Sequence, residues 1–383
     1  LNTTNIKHAS SSTNNIVLNA DGSTTIPNLS VGPNRNLIIN GAMQLAQRGT
    51  SAAGTGYKTI DRFTSGGSGS HAVTQSQDTD VPTGQGFSKS LKFDCTTANA
   101  SPNAGDYLTI TYKIEAQDLQ QIANGTSSAK KLTLSFWVKS PKTGTHAVGL
   151  YKDDNTGRQN TKTYSVSAAD TWEKKTITFD GDTSGGGIAN DNGLGMQLNW
   201  HLLAGSNFTS VDSTSWVNYS DAAWAYGHAV NVLDNTANNF YITGVQLEVG
   251  SIATDYEFKS FAQELTLCQR YYQKSFEQGT TPAHGVSKGI YQYIKPYTSD
   301  YMAGLCHYLP VEMRSTPTVV TYTLSGVTNS TDNRFNHYNN SSWGVCALSL
   351  EGNSNPRTLA FGGQTGSSST VLIQYNFTAS AEL

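Results

Sequence analysis

The most regular spacing of oxygen donors in this chain lies in Asp180-Gly181-Asp182-Thr183-Ser184-Gly185, with Asp191 following. Oxygens fall at the first, third and fifth positions, a glycine at the sixth and a carboxylate at the twelfth. A calcium loop arranges hard ligands around a sharp turn in this way. Asp180, Asp182, Ser184 and Asp191 are therefore candidate ligands, and calcium is the only cofactor the spacing suggests. A solvated turn is the competing reading. The loop leaves a strand rather than a helix, the twelfth residue is Asp instead of Glu, and Gly185 to Gly187 leave the geometry loose.

A second chemistry is adhesive. Trp216, Tyr219, Trp224 and Tyr226 lie among Asp212, Asn218, Asp221 and His228, without clean alternation. Sugar rings present C–H groups to aromatic faces and hydroxyls to amides, carboxylates and imidazoles, so this mixture is what a ligand pocket uses. Near the C-terminal end, Arg334, Phe335, His337, Tyr338, Asn339, Asn340 and Trp343 form a similar cluster, read as an exposed recognition loop. The candidate carbohydrate-binding residues are Trp216, Tyr219, Trp224, Tyr226, Tyr338 and Trp343. The competing reading makes such aromatics lids over a core, since Trp is mostly buried. Trp137 and Trp172, in strand-like contexts, are assigned to packing.

Catalysis finds less support. Eight histidines are present, but none sits in a nucleophile-elbow context, no G-x-S-x-G is convincing and no H-x-H or H-E-x-x-H occurs. A glycosidase needs two facing carboxylates. Asp153, Asp154, Asp212, Asp221 and Glu248 are available, but spacing does not pair them. Cys95, Cys268, Cys306 and Cys346 form no C-x-x-C, which argues against zinc, and they are expected to be free, buried thiols made in a reducing cytoplasm. Net charge is −3 with pI about 6.2, so nucleic acid gains no electrostatic support. No apolar run reaches the length of a membrane span. No secretory signal stands at Leu1, and a first residue other than Met leaves room for an upstream part.

The elements that would hold these residues are strands. Charged residues are only 14% of the chain, against about a quarter ordinarily; Ser, Thr, Asn, Gln and Gly supply the polar surface instead, and Thr, Tyr and Val favour strands. Residues 1–33 read as a short shaft or attachment segment: Ile16-Val17-Leu18, a turn at Asp21-Gly22, then Thr24-Thr25-Ile26. It has too little apolar area to fold without a neighbour. Between 34 and 257, Leu108/Ile110/Tyr112/Ile114, Leu132/Leu134/Phe136/Val138 and Leu194/Met196/Leu198/Trp200/Leu202 alternate with polar residues. A period of two with one apolar face predicts antiparallel sheets packed into a jelly-roll β-sandwich. The last strand changes phase at Thr243-Gly244, as a glycine-assisted bulge would cause. Residues 258–279 hold one amphipathic helix, with Phe258, Phe261, Leu265, Cys268 and Tyr272 as its stripe and Ser260 as its cap. Residues 280–383 form a second, smaller β-sandwich domain.

Several segments resemble a family of bacteriophage tail and tail-fibre proteins. They are Asn36-Leu37-Ile38-Ile39-Asn40-Gly41-Ala42-Met43-Gln44 with Gln47-Arg48-Gly49; Tyr57 with Ile60-Asp61-Arg62-Phe63; Phe136 to Ser140; Thr171 to Lys174; Ile242 to Gly250; Glu264-Leu265 with Cys268 to Tyr272; Pro310 to Arg314 with Thr316 to Val319; and Ala381-Glu382-Leu383. Single matches are short, but their order is specific and covers nearly everything after residue 33. The resemblance implies a jelly roll of carbohydrate-binding-module type, a place in the virion tail after assembly in the host cytoplasm, and a homotrimer. Other tail proteins would attach at the N-terminal segment, and host surface polysaccharide would be the ligand. It implies no catalytic residues. A purely structural baseplate, connector or head-decorating role is the first alternative; a polysaccharide-degrading tailspike is the second.

Overall fold

The alternating segments become strands in a computed structural model that describes residues 5–6, 16–18, 24–25, 35–295, 301–324, 334–338, 343–350, 354–364 and 371–383. β1 (Asn5–Ile6), β2 (Ile16–Leu18) and β3 (Thr24–Thr25) pair antiparallel in a small sheet of their own.

Twelve strands follow. They are β4 (Ser51–Ala53), β5 (Phe63–Ser68), β6 (Ala72–Asp78), β7 (Ser90–Thr97), β8 (Tyr107–Glu115), β9 (Leu132–Lys139), β10 (Gly144–Lys152), β11 (Arg158–Val166), β12 (Glu173–Phe179), β13 (Leu194–Ala204), β14 (Val217–Asn218) and β15 (Asn239–Val249). They divide into two six-stranded antiparallel sheets. Sheet I has the order β12-β9-β15-β7-β6-β4, and sheet II the order β14-β11-β10-β13-β8-β5. The apolar faces read from the sequence meet between them: Leu134, Phe136, Val138, Phe240 and Ile242 from sheet I, Ile110, Tyr112, Leu150, Leu198 and Trp200 from sheet II, all buried in one cluster. Burying each such side chain stabilises by about 1.5–3 kcal/mol, so the period-two pattern itself drives closure of the jelly-roll sandwich.

The phase change in β15 is a β-bulge. Trp137 faces Thr243 and Ser135 faces Gln246, so two residues on β15, Gly244 and Val245, lie across from Phe136 alone, one more than regular pairing allows. Gly244 takes a positive φ of 61° there, which suits glycine.

The helix is shorter than its sequence pattern. α1 spans Phe261–Gln269, opened by a capping box in which Ser260 and Gln263 bond reciprocally. Only part of its apolar stripe docks: Cys268 and Tyr272 are buried and Leu265 half-buried. Phe258, Phe261 and Leu267 are exposed, while Glu264 and Cys268 are buried and the Glu264 carboxylate accepts the Asn40 N–H at 2.8 Å. The helix stops because the next residues bury more by pairing as a strand: Tyr272 lies across from Ser380, and Tyr271, Tyr272 and Phe276 are buried. Of the cysteines, Cys95 and Cys268 are buried and free as expected, but Cys306 is exposed; Cys346 lies among side chains outside the description.

The C-terminal unit contains β16 (Tyr272–Lys274), β17 (Tyr291–Lys295), β18 (Tyr301–Tyr308), β19 (Thr318–Tyr322), β20 (Arg334–Tyr338), β21 (Trp343–Leu350), β22 (Thr358–Gln364) and β23 (Val371–Ser380). β23 is its spine and pairs with β16, β17, β19 and β20. Ile373, Tyr375, Phe377 and Ala379 point into a second core with Phe361 and Met313. Among the described residues no helix is long and apolar enough to cross a membrane.

Candidate functional site

Strand register fixes what sheet II shows on its outer face. Leu198 lies across from Tyr112 and Leu150 in the core, so Asn199, one residue on, stands outward beside Thr111 and Gly149, with His201 next on the same face. This face is polar and uncharged along that row. Thr111 donates to the Asn199 carbonyl oxygen at 2.8 Å, and the buried Asn199 amide nitrogen has no acceptor.

The 205–235 excursion, which carries most of the aromatic candidates, covers part of this face and does not gather them into one platform. Trp224 drops edge-on to His201, with ring centroids 4.9 Å apart, and packs with Tyr107 and Phe208. Its carbonyl accepts Thr161 Oγ1, so it serves as a lid. Trp216 turns away, packs at the edge of the core and donates its indole N–H to the Asp180 carbonyl at 2.6 Å. Tyr226 is partly buried. Tyr219 is the open one, 45% exposed. Its ring stands 5.1 Å from that of Tyr151. The hydroxyl of Tyr219 donates to Asp221 at 2.6 Å and that of Tyr151 to Asp153 at 2.9 Å. Burial, and then the adjacent carboxylate in each case, raises both phenols above their ordinary pKa, Tyr151 to about 12.

Beneath the lid lie three imidazoles. His201 is fully buried and held down to about 3 by loss of solvent. Burial also lowers His228 and His146. His228 accepts the Ala147 N–H at 3.2 Å, so these are neutral structural histidines.

The oxygens of the expected calcium loop are spent on other partners. Arg158 Nε holds Asp182 at 2.7 Å, in a buried pair. Lys131 holds the exposed Asp180 at 2.8 Å, and that contact is the largest cause of its lowered pKa. Ser184 turns back on Asp182, and Asp191 accepts the Gly193 N–H. No three carboxylates, imidazoles or thiols among the described residues converge as a metal site. The loop stands here as a turn in which Asp180 and Asp182 are paired with Lys131 and Arg158, while Ser184 and Asp191 bond within the loop.

The C-terminal cluster is a strand pair rather than a loop. Tyr338 on β20 lies directly across from Trp343 on β21, and Tyr338 is 37% exposed. Asn339 and Asn340 lie outside the described residues. Of the carboxylates considered for glycoside chemistry, Glu248 is buried against Arg35 and Thr254.

Sheet I carries a cleft that the pattern of residues did not reveal. It has a volume of about 330 Å³ and is lined by Phe87, Trp137, Tyr256 and Phe258 together with Gln85, Ser135, Lys174 and Asp255. Trp137, assigned above to packing, faces outward as the alternate of Phe136. The missed signal was available, because an apolar residue on the polar phase of a strand marks a face covered by something else or kept for a ligand.

No family model matches the chain, and no curated protein sequence does. Solved structures similar to it include the enzymatically active domain of tailspike protein 4 of bacteriophage CBA120, at 16% identity and a TM-score of 0.31, covering 57% of this chain. This chain spans only 22% of the length of that one. The family 11 carbohydrate-binding module of a Clostridium thermocellum cellulosomal cellulase is similar at 11% identity and a TM-score of 0.27, over 54% of this chain and 98% of the module. A xylan-binding domain from Paenibacillus barcinonensis is similar at 12% identity and a TM-score of 0.24, over 57% of this chain and 96% of that one.

Proposed function

We propose that this chain is a glycan-binding structural component of a bacteriophage virion, placed at a tail fibre or tail tip, and that it is not an enzyme. The sugar-binding part rests on one observation above all: the open Tyr219–Tyr151 pair on the outer side of sheet II, its hydroxyls fixed by Asp221 and Asp153. Aromatic faces of fixed orientation offer stacking area at low entropic cost, and neighbouring hydroxyl, amide and carboxylate groups match sugar hydroxyls. The virion part rests on the ordered series of segments that resemble phage tail proteins.

In this reading three copies associate, the N-terminal strands join them to other tail proteins, and the sandwiches face a host surface polysaccharide. Each single site is weak and reversible; several held together attach firmly. The test is a glycan array probed with the purified, assembled chain. Binding that falls about tenfold or more in Tyr151→Ser/Tyr219→Ser fits the proposal. A flat array from a correctly assembled oligomer points instead to a purely structural baseplate, connector or decoration role. New reducing ends on incubation with host polysaccharide would identify a depolymerising tailspike.

A further inference from the structure

We infer that the cleft on sheet I is a second sugar site, one that takes a single pyranose unit or chain end on the side of the sandwich opposite the tyrosine pair. The inference rests on the glycan-binding reading and adds to it a site of different shape. The bulge in β15 builds the cleft. Gly244 leaves its plane at a positive φ, and a Cβ there would lie 2.6 Å from the ring of Phe87, so the glycine makes the room in which that ring sits. Phe87, Tyr256 and Phe258 then pack against one another with centroids 4.8–5.3 Å apart and form one wall. Trp137 lines the same cleft from β9, and its neighbour across the strand pair is Lys174.

Two further features separate this cleft from an ordinary surface dip. The side chains of Gln85, Lys174 and Asp255 line it and make no hydrogen bond or ion pair among the described residues. Phe258 remains 50% exposed at its rim, a cost that a ligand would remove. Its volume sits at the lower end of the range for small-molecule sites. Aromatic walls with one amide, one ammonium and one carboxylate suit a hydroxylated, uncharged ring better than an anion or a cation, because the two charges offset each other.

Saturation-transfer NMR with the methyl glycosides of glucose, galactose, N-acetylglucosamine and N-acetylgalactosamine tests this, with choline as the competing probe for an aromatic cation cage. Measurements use the full chain, the sheet II variant Y151S/Y219S, and the cleft variants F258S and Q85A, each with its unfolding midpoint recorded. Gln85 is exposed and Phe258 half-exposed, and the unfolding midpoints report whether each variant keeps its fold. Transfer to a glycoside that persists in Y151S/Y219S and drops at least about fivefold in F258S supports the cleft. Transfer that vanishes in Y151S/Y219S and is unchanged in F258S and Q85A overturns the cleft and leaves the sheet II site standing. Choline binding lost in F258S, without glycoside binding there, overturns the sugar assignment. Absence of transfer to every glycoside in all forms overturns the cleft; the array then decides the broader reading separately.

Discussion

Arg62 has almost no access to water, and its neighbours account for that. Its guanidinium carbon lies 3.4 Å from the centroid of the Tyr271 ring, it pairs with Glu382, and it donates to the Lys113 carbonyl at 2.7 Å. Removing one partner of such a buried pair strands the other, which costs about 3–5 kcal/mol. Arg62→Ala should therefore lower the urea unfolding midpoint by a large margin, whereas Lys131→Ala, which breaks an exposed pair, should barely move it. The imidazoles under Trp224 make a prediction about acid. In the unfolded chain each takes a proton near its ordinary pKa of about 6.5, while in the fold burial holds His201 down to about 3. Between those values the unfolded chain binds more protons, so the stability is complete above about pH 6.5 and is lost as pH falls toward 3. The slope is about 1.4 kcal/mol per pH unit for each such group. Urea midpoints at about pH 7.5 and about pH 5 should differ markedly, and His201→Phe should shrink the difference; equal slopes would contradict the neutral-histidine assignment.

The bulge in β15 and the cap of α1 show how short pieces of chain are fixed. Gly244→Val introduces a β-branched side chain at a positive φ and drives its Cβ into Phe87. Strain of this kind costs about 1–3 kcal/mol, and the cleft should close with it. Calorimetry reads the first effect and loss of glycoside contact the second. Ser260→Ala removes a capping box from a short helix. The expected loss is about 1 kcal/mol, and Ser260→Asp should restore it, since a carboxylate can accept the same N–H. The helix also shows why its period misled. Three- and four-residue spacing of apolar groups identifies a helix but not which side is buried, and here the buried side holds Glu264, which ties down the Asn40 turn.

The sandwich and the C-terminal unit are joined by charges rather than by a shared oily surface. Arg270 grips both oxygens of Glu115 at 2.7 Å. Arg48 pairs with Glu382 and lies over Tyr272. Arg314 bonds the carbonyls of Ala381, Glu382 and Asn192. Charge-assisted, bidentate contacts of this sort hold orientation tightly, so both units should melt in one calorimetric transition. The double variant R270A/E382Q should separate it into two; a single transition there would mean that other contacts couple the halves.

Alternation of apolar and polar residues was enough to mark the strands, the jelly-roll sandwich and the β15 bulge, and residue type at the start of a helical stripe marked the Ser260 cap, because each depends on a spacing of a few residues. The calcium-like loop had regular spacing and the aromatic cluster a telling composition, yet what each does in the fold depends on its surroundings. Arg158 and Lys131 arrive from other strands to neutralise the loop, and His201 and Tyr107 receive Trp224 as a lid. Trp137 shows the converse, a residue that looked like packing until strands distant in sequence placed Phe87, Tyr256 and Phe258 around the same cleft. Local periodicity dictates which face a side chain takes; what lies opposite that face depends on contacts across long stretches of chain, and those exist only once the sheets have closed.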